Sequence, residues 1–468
     1  MKKIYNIENI GKITRNLFWL FVERGGQFAL AIIISGMLAR GLGPDDFGKW
    51  QYANSILLII SPLTWVCGAE ILVPLMVRSL AENGKTRVDN MSIDSIPAIN
   101  DIIGTAFVIR LIASIFVVFV SGLVVVLFGQ RSTVDPVVSN IFFGFLGALL
   151  FREPFAVFTA WLQARTHSRP ALLVSLIAAV MKTVLLYIFI KFSFSTKFYS
   201  SLWAFESIVV AVGLCWIYVL FKSRRPIFLV NKYYKYNVEN LKCSLKARFN
   251  NIVKVLSDWN FRTEMARDLL LNGAVFWVAL IFYTVFLKID RIILQRYVGY
   301  DVLGQYGAAQ QITENWITMA LMIAQTVAPI FIFGVVDRKK LRRNIAVLSL
   351  IVTIFMSLGA IIISYFSTDI IRLVFGGKFV DAARYLTWST WIAVLVGIQS
   401  ITSQYLLKFQ MKGSVLFKWC IAFLAAIIFD IILIPIYGGY GALLGVASGY
   451  LVALIIDIFV ICFTFKRV

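Results

Sequence analysis

Two stretches of the chain, Leu38–Ala53 (LARGLGPDDFGKWQYA) and Leu294–Ala309 (LQRYVGYDVLGQYGAA), align without a gap when the sequence is shifted by 256 residues. Six positions are identical in the two copies: Leu38/Leu294, Arg40/Arg296, Gly43/Gly299, Asp45/Asp301, Gly48/Gly304 and Ala53/Ala309. Each stretch follows the first apolar run of one half of the chain. A match at so long a period indicates that two copies of one structural unit follow each other.

The composition around this repeat is that of a membrane protein. Hydrophobic residues make up 60% of the chain and the mean hydropathy is +0.84, whereas apolar residues are about 45–50% of a soluble domain. A helix needs about 20 apolar residues to cross about 30 Å of hydrocarbon. We therefore predict an all-α polytopic membrane protein with about twelve transmembrane helices. The predicted spans are 17–36, 53–76, 104–128, 137–163, 170–190, 201–221, 269–287, 313–333, 345–365, 386–407, 415–435 and 441–464.

The distribution of basic residues orients these spans. With the N-terminus inside, the inner segments carry 29 Lys and Arg and the outer loops carry 11. Because cytoplasmic loops collect Lys and Arg, both termini are expected in the cytoplasm. The same rule accounts for the net charge of +21 without a nucleic-acid partner.

Six spans separate the two repeat copies, so the copies share one orientation across the membrane. This predicts two six-helix bundles, at residues 1–221 and 269–468, around a central cavity. The segment 222–268 between them holds eleven basic and four acidic residues. We interpret it as a cytoplasmic linker that touches anionic lipid headgroups, with a regulatory or partner-binding segment as the alternative.

Four motifs at span boundaries carry a resemblance to a known family. They are Leu38–Gly48 (LARGLGPDDFG), Lys288–Leu294 (KIDRIIL) followed by Gly304-Gln-Tyr306, Val374–Phe379 (VFGGKF), and Ile434–Ala442 (IPIYGGYGA). In this order they resemble the polysaccharide-exporter (Wzx-type, O-antigen flippase) branch of the multidrug/oligosaccharidyl-lipid/polysaccharide (MOP) exporter superfamily. The resemblance covers almost the full length, and Asp430 is a residue at which it is weaker.

The resemblance implies a MATE-like fold and a flippase in the bacterial inner membrane. Such a protein would move undecaprenyl-pyrophosphate-linked oligosaccharide units, of O-antigen or a related surface polysaccharide, from the cytoplasmic to the periplasmic leaflet during lipopolysaccharide or polysaccharide biosynthesis. Its expected partners are the polyprenyl-pyrophosphate-linked saccharide and membrane lipids, with the polysaccharide polymerase machinery as a further candidate.

Charged residues inside spans are the candidate site, because each costs about 2.5–3.5 kcal/mol at a helix centre. Arginine and lysine side chains would hold the pyrophosphate through charge-assisted bonds, while amides suit a sugar. The candidates for substrate binding are Arg24, Arg291, Arg110, Lys182, Gln27 and Gln399, and those for coupling or charge balance are Glu23, Glu70, Asp290 and Glu314. The alternative for each charged residue is a structural ion pair.

Arg24 is the first choice among them. It lies beside a polar ridge of the first helix that includes Glu23 and Gln27, and the repeat-related position is Leu280, which carries no charge. An arginine of purely architectural value would be expected in both halves. We therefore expect Arg24 to contact the pyrophosphate or an acidic sugar, the alternative being neutralisation of Glu23.

The sequence does not favour an enzyme. It has one histidine and no phosphate-binding GxxxxGK[ST] motif, so we expect no cofactor and energy from an H+ or Na+ gradient or from the substrate's own gradient. The five separated cysteines favour free thiols over a disulfide or metal framework. A cation-coupled multidrug exporter is the first rival, although basic residues in the spans argue against it. A polymerase or ligase is the second, although it should carry a large periplasmic loop.

Overall fold

In a computed structural model, the chain is described at residues 7–85, 99–129, 135–165, 169–223 and 259–466. These ranges contain fourteen α-helices and no β-strand. The helices are α1 (Ile7–Ile60), α2 (Ala69–Lys85), α3 (Ile99–Gly129), α4 (Pro136–Arg152), α5 (Ala156–Ala164), α6 (Arg169–Lys191), α7 (Thr196–Ser223), α8 (Thr263–Phe286), α9 (Ile289–Ala328), α10 (Arg338–Tyr365), α11 (Ser367–Val374), α12 (Ala382–Lys408), α13 (Lys412–Tyr437) and α14 (Gly439–Lys466).

Within the described ranges, ten stretches are long and apolar enough to cross a membrane. Two of them are unusually long: Phe28–Thr64 belongs mostly to the 54-residue α1, and Gly273–Phe333 covers α8 and α9. At 1.5 Å per residue the 54 residues of α1 extend over about 81 Å and the 61 residues of Gly273–Phe333 over about 92 Å. Each length accommodates two crossings of about 30 Å. Ten stretches with two doubled give about twelve transmembrane helices, so the predicted all-α polytopic class is confirmed.

Large apolar side chains point outward from several of these helices. On α3, Ile112, Phe116 and Phe119 are 61%, 65% and 67% exposed. An apolar surface of this extent is unfavourable in water, and it suits contact with lipid. The chain is a multi-pass membrane protein.

The two repeat copies have the same backbone conformation. Gly43 in α1 has φ 78° and ψ 174°, and Gly299 in α9 has φ 81° and ψ −177°. A positive φ of this kind is accessible to glycine and costly for other residues. The identical kink at positions 256 residues apart supports the internal repeat at the level of the backbone.

The first kink also corrects a predicted span edge. The span predicted at 17–36 ends too early, because α1 is helical up to its kink at Gly43. Polar residues near the end of this span lower the hydropathy although the backbone remains helical. The span predicted at 269–287 agrees with the end of α8 at Phe286, and the next helix, α9, runs as far as its own kink at Gly299. Lys288, which follows the predicted end of the span 269–287, belongs to the apolar stretch Gly273–Phe333.

The helical segments that follow the two kinks pack closely against each other. A methyl group at Gly48 would overlap the carbonyl oxygen of Tyr300, and one at Gly304 would overlap that of Pro44. Pro44 and Tyr300 are themselves repeat-related, so the contact is reciprocal. Small residues allow such close approach of membrane helices, which explains the glycine at this position in both copies.

Internal contacts divide the chain into two compact units. Unit one comprises Met1–Ile59, Leu186–Ser193 and Val278–Val468, and unit two comprises Ile60–Leu185 and Phe194–Trp277. The division into bundles at residues 1–221 and 269–468 around a cavity stays a prediction.

Each unit has its own buried core. In unit one, Phe286, Tyr306 and Tyr450 pack together from α8, α9 and α14. In unit two, Trp161 and Tyr218 lie at 4.9 Å between ring centroids. These aromatic cores fix the helices that carry the charged residues of the spans.

Candidate functional site

Three charged residues follow one another at the break between α8 and α9. Lys288 is the N-cap of α9, and Asp290 and Arg291 lie in its first turn. The non-helical residue Gly299 follows about eleven residues, or about 16 Å of helix, further on. The three charges therefore lie inside the apolar stretch Gly273–Phe333, which is long enough for two crossings.

Both cations at this break contact one carboxylate, that of Glu314 on the second segment of α9. Lys288 Nζ donates to Glu314 Oε1 at 2.6 Å, and Arg291 Nη2 donates to the same oxygen. Arg291 Nη1 also donates to Gln51 Oε1 at 3.3 Å. We call Lys288, Asp290, Arg291 and Glu314 the midspan cluster.

The fourth member of the midspan cluster has a different partner. Asp290 Oδ2 accepts a 2.5 Å hydrogen bond from the hydroxyl of Tyr306, while its Oδ1 is buried without a hydrogen-bond partner among the residues that the structure describes. The two cations and two carboxylates of the cluster have no net formal charge. Because Asp290 bonds to Tyr306, Glu314 is the carboxylate that Lys288 and Arg291 share.

Exposure differs sharply within the midspan cluster. The side chains of Lys288 and Arg291 are 9% and 3% exposed, whereas that of Glu314 is 38% exposed. An ionised carboxylate that faced hydrocarbon would be expensive, so the open side of Glu314 suits an aqueous or polar space. Chemically, the cluster can offer two cations to a polyanion that approaches past Glu314.

A further carboxylate, Asp430 on α13, lies near this cluster and has an apolar setting. It is fully buried, and neither of its oxygens has a hydrogen-bond partner in the described part of the chain. Ala426 and Ile434, one turn away on either side, pack in the same core as Tyr306. Because an unpaired charge is costly there, the site fits the neutral acid.

A second ion pair in unit one is completely enclosed. Lys418 on α13 and Asp457 on α14 are 2% and 0% exposed, with Nζ and Oδ1 at 3.0 Å. Ser403 accepts from Lys418 at 2.7 Å and donates to Asp457 at 2.8 Å, and Thr402 donates to Asp457 at 3.2 Å. We call Lys418 and Asp457 the sealed pair.

Gln399, predicted to bind substrate, belongs to the surroundings of the sealed pair. It is 3% exposed, and its Nε2 donates to Ser403 Oγ at 2.7 Å. Its amide is therefore engaged within α12, and a substrate role for it stays a prediction.

Lys182, also predicted to bind substrate, lies in unit two. Its Nζ is 2.6 Å from Glu206 Oε2, and the two side chains are 8% and 23% exposed. The same ammonium lies 4.4 Å from the centroid of the Trp203 ring. A buried cation with a more exposed glutamate repeats, in smaller form, the arrangement of the midspan cluster.

Arg110 has a setting that favours an architectural role. Its guanidinium donates to the backbone carbonyls of Val66 at 3.1 Å, Cys67 at 2.6 Å and Glu153 at 3.2 Å. Val66 and Cys67 lie between α1 and α2, and Glu153 lies between α4 and α5. Helix breaks leave carbonyls without helical partners. Arg110 donates to those of Val66 and Cys67, and it shares that of Glu153 with the backbone N–H of Ala156. Its predicted contact with substrate stays a prediction.

Four predicted residues lie on described helices with side chains outside the description. They are Glu23, Arg24, Gln27 and Glu70. Their roles stay predictions. Of the predicted set, the structure brings together Arg291, Asp290 and Glu314.

Sequence reasoning missed several residues of this site. The predicted spans leave Lys288 in an outer loop, and the predicted site does not include Gln51 or Tyr306, although the repeat motif contains both. Among the residues described here, no group of three or more His, Cys, Asp and Glu is arranged to hold a metal ion. Cys67, Cys215, Cys420 and Cys462 are free thiols, and Cys243 lies outside the description.

The described helices define a polytopic α-helical membrane protein with ion clusters in its apolar stretches. Residues 13–333 match the sequence profile of the family described as "Polysaccharide biosynthesis protein". The chain belongs to this family, which confirms the predicted resemblance. No curated protein sequence matches the chain.

Solved structures with a similar fold include transporters described as members of the MOP superfamily. The chain is similar to a multidrug resistance MATE family transporter, with a TM-score of 0.69 and 15% identity over 94% of this chain and 95% of that one. It is similar to a MOP superfamily transporter from Pyrococcus furiosus, with a TM-score of 0.64 and 14% identity over 94% of this chain and 93% of that one. It is also similar to the lipid II flippase MurJ, with a TM-score of 0.62 and 11% identity over 94% of this chain and 87% of that one. These likenesses establish the fold.

Proposed function

We propose that this protein is a flippase that moves undecaprenyl-pyrophosphate-linked oligosaccharides of a surface polysaccharide from the cytoplasmic to the periplasmic leaflet of the inner membrane. The observation that carries the proposal is membership of a polysaccharide biosynthesis family combined with a transporter fold. A solved neighbour of that fold is named as a lipid II flippase, and a lipid-linked substrate for this chain is consistent with it.

The physical task fits a protein with polar groups deep in its spans. Each sugar hydroxyl moved unpaired into hydrocarbon costs about 4–8 kcal/mol, so the saccharide needs a polar path while the polyprenyl tail stays in lipid. Lys288 and Arg291 are assigned to the pyrophosphate, because phosphate accepts charge-assisted bonds and arginine can offer a bidentate fork. Arg24 is assigned the same role on α1.

Loss of the protein tests the proposal. A deletion strain should accumulate undecaprenyl-pyrophosphate-linked repeat units on the cytoplasmic face and lose surface polysaccharide, as measured in lipid extracts and by surface glycan staining. If the deletion strain kept normal surface glycan but became sensitive to cationic drugs, the protein would be a multidrug exporter and the flippase proposal would be wrong. Complementation by Arg24→Lys but not by Arg24→Ala, at equal membrane levels, would support Arg24 as a phosphate contact.

A further inference from the structure

Glu314 is the accessible member of a cluster whose cations are not accessible. Its side chain is 38% exposed, while Lys288 and Arg291 behind it are 9% and 3% exposed. Both cations donate to the same oxygen, Glu314 Oε1. An anion that approaches from the open side therefore meets the glutamate before it meets either cation.

The cations themselves are enclosed. The backbone of Lys288 forms the N-cap of α9 and its side chain is 9% exposed, while Arg291 has a second partner in Gln51, to which its Nη1 donates. The side chain of Glu314 is 38% exposed, which leaves room for other rotamers on its open side, so Glu314 can move away while its partners stay. An anion and Glu314 then compete for the same two donors.

We propose that Glu314 is a resident anion that occupies Lys288 and Arg291 until the pyrophosphate of the substrate displaces it, and that it recaptures both cations when the substrate leaves. This inference rests on the proposed function. A pyrophosphate has two phosphoryl groups, one for each cation, and more negative charge than one carboxylate. It can therefore win the exchange, while the returning glutamate keeps binding weak enough for release.

The test compares Glu314→Gln with wild type in nanodiscs, using undecaprenyl pyrophosphate in the bilayer and inorganic pyrophosphate in solution as separate probes. Removal of the competing charge should tighten binding of undecaprenyl pyrophosphate at least about tenfold, since each interaction with a charged group is worth about 1.5–3 kcal/mol. Transport by the same variant should fall at least about tenfold because release is slowed. Glu264→Gln, the same change at an exposed position in the first turn of α8, should leave both within twofold.

A second variant keeps the test decisive if Glu314→Gln does not accumulate. Glu314→Asp retains the charge, but its shorter side chain cannot bridge Lys288 and Arg291, so binding should be intermediate between wild type and tenfold tighter. Wild type that binds the lipid while neither variant binds it more tightly overturns the inference and leaves the flippase standing. Tightening limited to inorganic pyrophosphate also overturns it. No binding of the lipid by any form overturns both the inference and the proposed function.

Discussion

Lys288 and Lys418 are buried lysines of the same unit, each with one carboxylate at 2.6 Å and 3.0 Å respectively, yet the two carboxylates differ completely in exposure. Glu314, the partner of Lys288, is 38% exposed, whereas Asp457, the partner of Lys418, is 0% exposed. The sealed pair can exchange its partners with nothing outside the protein. The midspan cluster can exchange a partner through the open side of Glu314. Substitutions in the sealed pair should therefore mainly lower stability, and substitutions in the midspan cluster should mainly lower transport.

The largest effect is expected from opening the sealed pair. Lys418→Met leaves Asp457 buried without its cation, which should lower the free energy of unfolding by about 3–5 kcal/mol. The double variant Lys418→Met/Asp457→Leu removes both charges and should recover most of the stability and retain transport. Stability is measured as the melting temperature in detergent, and transport is measured by complementation of the deletion strain. A double variant that is stable but inactive would show that the sealed pair also serves transport.

Arg291→Ala should instead lower transport while the protein still accumulates in the membrane. Loss of a charge-assisted bond to the substrate is worth about 1.5–3 kcal/mol, or a decrease of about 10- to 100-fold in transport. Arg291→Lys keeps the charge without the fork and should lie between wild type and alanine. Transport is measured at matched membrane levels. Full activity of Arg291→Ala would remove this residue from the substrate path.

The crossing of the repeat copies provides a test away from both ion clusters. Gly48→Ala places a methyl group against the carbonyl of Tyr300, and such overpacking typically costs about 1–3 kcal/mol. The matched control is Gly413→Ala, because a methyl group at Gly413 meets no atom within 4 Å. The melting temperature of Gly48→Ala should fall below that of Gly413→Ala. Equal stability would mean that the two segments separate readily.

The smallest effect on stability is expected at Lys182. Its partner Glu206 is 23% exposed, between the values for Asp457 and Glu314, so solvent can compensate for the loss of the ion pair. The amide of Lys182→Gln can still donate to Glu206, so this variant should lower the free energy of unfolding by about 1 kcal/mol. A clear loss of transport at this small cost would place Lys182 in the substrate path, and unchanged transport would make it structural.

The sequence predicted the parts of this fold that depend on local pattern. The hydropathy of the spans and the match of Gly43 with Gly299 both correspond to features of the structure, because spans need length and a positive φ needs glycine. Partner choice could not be predicted in this way. Nothing local in the sequence shows that Arg110 meets backbone carbonyls at two helix breaks, or that Lys418 is matched to Asp457.

The extent of the apolar stretch Gly273–Phe333 is also not predicted from local pattern. The predicted span 269–287 stops before Lys288 because a charge lowers the local hydropathy, whereas the structure has Lys288 at the break between α8 and α9, inside this apolar stretch. A charge next to a break in a long apolar stretch is a pattern that could identify such sites from sequence.

Transport in a purified system tests the central claim most directly. The protein is reconstituted in liposomes that contain a fluorescent undecaprenyl-pyrophosphate-linked oligosaccharide, and exposure of the saccharide on each face is followed with an impermeant glycosidase. The account predicts that wild-type protein makes the inner-leaflet pool accessible within the assay, that Arg291→Ala does so about 10- to 100-fold more slowly, and that protein-free liposomes do not. Equal accessibility with wild type and with protein-free liposomes, from a protein that remains folded, would contradict it.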